Sequence, residues 1–95
     1  MKAIIMAILM ALSATAAADQ CKMTGDIAEM MMKARQVGVP MQEMMAVSQD
    51  NELRAAMVLD AYEVPRFTTE KFQKRQEQDF RDKWYMACYK ALKDS

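Results

Sequence analysis

The chain has 95 residues, 13 basic and 13 acidic side chains, a formal net charge of zero, two cysteines and no histidine. Balanced charge gives no bulk field to draw it onto nucleic acid or anionic lipid. The lack of histidine removes the commonest general base and the usual imidazole ligand of zinc or copper.

Lys2, the apolar run from Ala3 to Leu12 and the small residues from Ser13 to Ala18 make a secretory signal-peptide pattern ending in A-x-A. The run falls short of the roughly 20 apolar residues that span a bilayer. Residues 1–18 are therefore expected to be removed, leaving a domain of residues 19–95 in the periplasm or the medium and not embedded in a membrane. A domain of that size lies near the lower limit at which an apolar core suffices alone. In an oxidising compartment Cys21 and Cys88 are expected to form a disulfide. Closing so long a loop contributes about 4 kcal/mol in the chain-entropy account. A catalytic dithiol would instead need its cysteines adjacent, as in C-x-x-C.

Four helices are expected in the mature part, because glycine and proline are scarce and β-branched runs are absent. Thr24 is placed as the cap of the first, with Ile27, Met30, Met31, Ala34 and Val37 inward and Gly38 as its left-handed terminator. Pro40 then opens a short second helix with Met41, Met44, Met45 and Val47 on its apolar face. Asp50 is assigned as the cap of a third helix that runs to about Tyr62, with Leu53, Ala56, Met57 and Ala61 inward. Pro65 ends it, since the residue before a proline is pushed out of helical angles.

The fourth helix is expected from Thr69 to about Lys93, with Thr68 as N-cap and Phe67 and Phe72 as a hydrophobic staple. Phe72, Phe80, Trp84 and Cys88 form its apolar stripe, widened by Tyr85, Tyr89 and Leu92. Lys71, Lys74, Glu77, Gln78, Arg81 and Asp82 form its solvated face. The reading is all-α: a small four-helix domain, three short helices packed on one long C-terminal helix and closed by one disulfide. Asp19 to Val64 holds 4 basic and 8 acidic residues, and Pro65 to Ser95 holds 8 and 5, so the two parts are expected to attract each other.

Little in the chain can carry catalysis. Its mature serines are Ser48, in an expected turn, and Ser95, at the end, and no glycine-rich phosphate loop is present. No pair of acids falls in a recognisable cleft, so the chain is read as non-enzymatic and without a cofactor. Methionine is the compositional anomaly: of 12, seven lie between Met23 and Met45. Their main reading is core filling. Alternatives are an adaptable protein-binding groove and a Cu(I) or small-ligand site built from Met41, Met44 and Met45. Tyr62, Arg66 and Tyr85 are the side chains read as an exposed partner-binding patch, being of the types enriched at hot spots. The function expected is that of an exported helical module that binds another protein as inhibitor, chaperone or accessory subunit; a purely structural role is the remaining alternative.

Overall fold

The computed structural model describes the backbone of residues 2–94 and the side chains of residues 18–94. Four helices follow one another: α1 (Lys2–Val37), α2 (Met41–Ala46), α3 (Glu52–Glu63) and α4 (Glu70–Asp94). No strand occurs among the described residues. The all-α domain with its long C-terminal helix is as the sequence anticipates, and α4 has 25 residues. Side chains of the expected leader up to residue 17 lie outside the described residues. No helix of the described residues is long and apolar enough to cross a membrane.

The first helix begins earlier than expected. Thr24 does not cap it but sits inside α1, where its hydroxyl donates to the Gln20 carbonyl at 3.1 Å. That bond, one turn back, gives a threonine a partner within a continuing helix. Gly25 does not interrupt α1 either. It is a point of close approach to α4: a Cβ there would stand 3.1 Å from Arg81 Cγ and 3.3 Å from the Arg81 carbonyl. At the other end Gly38 takes φ +93°. Gly38 N–H donates to the Arg35 carbonyl and Val39 N–H to that of Ala34, the paired bonds of a Schellman motif.

α1 and α4 run antiparallel, with Cys21 joined to Cys88 at one end and Gln36 against the Pro65–Phe67 loop at the other. α3 lies parallel to α1 and contacts α4 through Asp60, which accepts from Lys83 Nζ at 2.8 Å and Trp84 Nε1 at 3.0 Å. Arg81 pairs with Glu29 across the α1–α4 seam at 3.2 Å. The acidic and basic parts of the chain thus meet face to face. The core is small: Ala28, Met31 and Met32 from α1, Met57, Val58 and Ala61 from α3, and Phe80 from α4.

Several inward assignments are corrected. Asn51, not Asp50, caps α3, its Oδ1 accepting from Arg54 N–H at 3.0 Å. Leu53 and Ala56 are exposed while Val58 is buried, because α3 seats on α1 beside the α1–α4 seam through Met57, Val58 and Ala61. Met41 and Val47 are exposed as well, since six-residue α2 reaches the core only with Met44 and Met45. On α4 only Phe80 is fully enclosed; Phe72, Tyr85 and Tyr89 face out. Phe72 is spent on its ring contact with Phe67, at 6.1 Å between centroids. The helix starts one residue later than expected, Thr69 supplying the carbonyl for Gln73 N–H. Arg81, expected in solvent, is half-buried against Glu29.

Candidate functional site

Cys21 and Cys88 form a disulfide with Cα atoms 5.4 Å apart. Cys21 is fully buried, so the bridge joins the helices from inside. Among the described residues no three His, Cys, Asp or Glu side chains gather in a way that could hold a metal.

Tyr62 and Arg66 stand together, at the end of the molecule where α1 stops. Tyr62 Oη donates to the Val39 carbonyl at 2.6 Å, and its ring carries the Arg35 guanidinium 5.2 Å from the centroid. Burial raises the phenol above its ordinary range; the nearby Glu43 charge adds to this and Arg35 opposes it. Arg66 lies over Gly38, within 2.9 Å of where a Cβ would stand, and its Nε donates to the Gln36 carbonyl. Both side chains therefore hold the Gly38 turn to the loop that follows α3. Tyr85 is elsewhere, against Gly25 toward the disulfide end, stacked on Tyr89 with ring centroids 6.4 Å apart. The three do not form one patch.

The residue that organises this junction is one that sequence reasoning missed. Gln36 is buried, donates from Nε2 to the Pro65 carbonyl at 2.9 Å and accepts the Phe67 N–H at 2.8 Å. Arg35 beside it donates to the Val64 carbonyl. Two consecutive α1 side chains thus partner the backbone of a half-exposed segment that has no helix or strand of its own. The signal was present: Gln36 extends the α1 stripe of Cys21, Gly25, Ala28 and Met32 that faces α4, a polar side chain where an apolar one is due.

The methionines gather around a different place. Between α1, α2 and the start of α3 lies an open apolar hollow of about 550 Å³, walled by Ile27, Met30, Met31, Ala34, Met44 and Val47. Ser48 also lines it, fully buried, its hydroxyl without a hydrogen-bond partner, and Arg54 stands at its edge. Of the three methionines read as a possible Cu(I) set, Met44 reaches this hollow and packs on the core, Met45 packs on the core, and Met41 faces solvent. A second apolar hollow, of about 270 Å³, lies beside the disulfide between Thr24, Leu53, Trp84 and Ala87. The larger one combines flexible thioethers, exposed rims and an unanswered hydroxyl, and it is the candidate site. Comparison with protein-family models, with curated proteins and with solved structures finds no match for this chain.

Proposed function

We propose that the chain is an exported, non-enzymatic helical module that binds another protein through the methionine-lined face of α1 and α2. The observation that carries this reading is the hollow at Met30, Met31 and Met44: apolar, open at the surface and lined by side chains that adapt their shape at little cost. Exposed apolar area of this kind marks contact sites more often than it marks idle surface. The leader pattern and the Cys21–Cys88 bridge support an oxidising compartment outside the cytoplasm.

A photoreactive residue placed at Val47, with one at Lys71 as control, tests the reading in cells that express the chain with its own leader. Covalent protein adducts are expected at position 47 and not at 71. Their absence at 47 overturns the binding face, and recovery of the chain with residues 1–18 still attached overturns export. A copper-carrier reading, expected at Met41, Met44 and Met45, keeps only Met44 of that set in the hollow and would need Met30 and Met31 beside it, since thioethers select Cu(I). Stoichiometric Cu(I) retention against a competing chelator, lost when Met30, Met31 and Met44 become leucine, would favour it over protein binding.

A further inference from the structure

The outer face of α1 carries a second apolar pattern, which adjoins the methionine-lined hollow along one edge. Met23, Met30 and Val37 recur every seventh residue and are 65%, 67% and 62% exposed, the highest values among the described large apolar side chains of α1. Half-buried Ile27 and Ala34 fall between them. The alternating steps of four and three residues are those of a coiled-coil seam. Met23, Met30 and Val37 form an exposed apolar ridge in this register, and Ile27 and Ala34 are its inner edge, where it passes into the hollow.

The charges beside the seam indicate what covers that ridge. Asp26 and Lys33 flank it on the same side, one heptad apart, bordering a polar depression beyond Met30. Asp26 has only a loose 3.8 Å contact with Lys22, both side chains being well exposed, and Lys33 has no ion pair among the described residues. A two-fold axis between these positions makes the face complementary to itself. When a second α1 lies antiparallel, Asp26 of each copy meets Lys33 of the other, Ile27 packs against Met30, and Met23 against Ala34. The opposite flank then sets the rims of the two methionine-lined hollows side by side. A parallel pairing sets Asp26 beside Met31 and matches no charges, so the antiparallel arrangement is the one that the charges select.

We infer that the partner on this face is a second copy of the chain, forming a two-fold dimer through antiparallel α1 helices. The inference rests on the protein-binding reading above and names its partner. Sedimentation equilibrium of the purified, disulfide-bonded mature chain is expected to give twice the monomer mass. Met30→Glu, at a position exposed in the monomer, is expected to weaken the dimer at least about 30-fold, the factor equivalent to a hot-spot loss of about 2 kcal/mol, with circular dichroism unchanged. Asp26→Lys is expected to weaken it, and the exchange Asp26→Lys with Lys33→Asp to restore it, because the swap returns the complementarity. A chain that stays monomeric at every accessible concentration overturns the dimer. If adducts to a foreign protein are nonetheless found at Val47, the binding module stands with a different partner. A dimer indifferent to Met30→Glu and to both charge variants lies on another face and overturns the inference equally.

Discussion

Gln36 shows how much one side chain can hold when it is buried beside a loop. Replacing it with leucine keeps the volume roughly but leaves the Pro65 carbonyl and the Phe67 N–H without partners. Each such hydrogen bond contributes about 0.5–1.5 kcal/mol, so losing the two in Gln36→Leu is expected to lower stability by about 1–3 kcal/mol in urea denaturation. Tyr62 gives a prediction in pH. Its phenol is raised in the folded state, so it contributes stability that is complete below the unfolded value of about 10 and is lost as pH rises through the folded value. The phenolate cannot donate to Val39. Tyr62→Phe should therefore cost about 1 kcal/mol at neutral pH, the value of one hydrogen bond, and should flatten the alkaline fall. An equally steep fall in the variant would show that other groups set it. The place of Gln36 on the buried stripe was legible but the partners of neither side chain were, since Gln36 meets them 29 to 31 positions away and Tyr62 a carbonyl 23 positions away.

At the scale of elements, the boundaries were read best where a residue acts on its own backbone. Gly38 ends α1 and Pro65 forces Val64 into extended angles, with ψ 133°. Such signals depend on steric limits within two or three residues and need no knowledge of the fold. Gly38→Ala is expected to cost about 1–2 kcal/mol for the left-handed backbone, and more from contact with Arg66; thermal unfolding measures the sum. Burial was harder to read. α3 seats on α1 through Met57, Val58 and Ala61, so a single stripe through Leu53 and Ala56 misplaced its inward side. Gly25 carried the opposite ambiguity: a helix breaker by propensity, it is a contact point with α4 by position. Gly25→Val should separate α1 from α4 and destabilise by about 1–3 kcal/mol, the scale of overpacking. A stabilised variant would mean that α4 yields easily there.

For the whole molecule, the disulfide was legible from two cysteines and an export pattern, whereas the methionine-lined hollow was not. Methionine content announced adaptable apolar surface, but the sequence alone pointed to Met41, Met44 and Met45 within one short helix. The hollow draws instead on Met30 and Met31 across from Met44, which only the packing of α2 on α1 brings together. With a core of few large side chains, Cys88→Ser is expected to lower stability by about 2–5 kcal/mol, measured on the purified variant by chemical denaturation. The bridge also decides how the chain answers to tension. Cys21 and Cys88 are separated by 67 positions, so pulling on the chain from outside the ring they close loads the sulfur–sulfur bond directly. Within that ring α2, α3, the Gly38 turn and the loop at Pro65 carry none of the force. Only the segments outside it can lengthen while the bond is intact; once it is reduced, the same pull falls on the helices between the two cysteines.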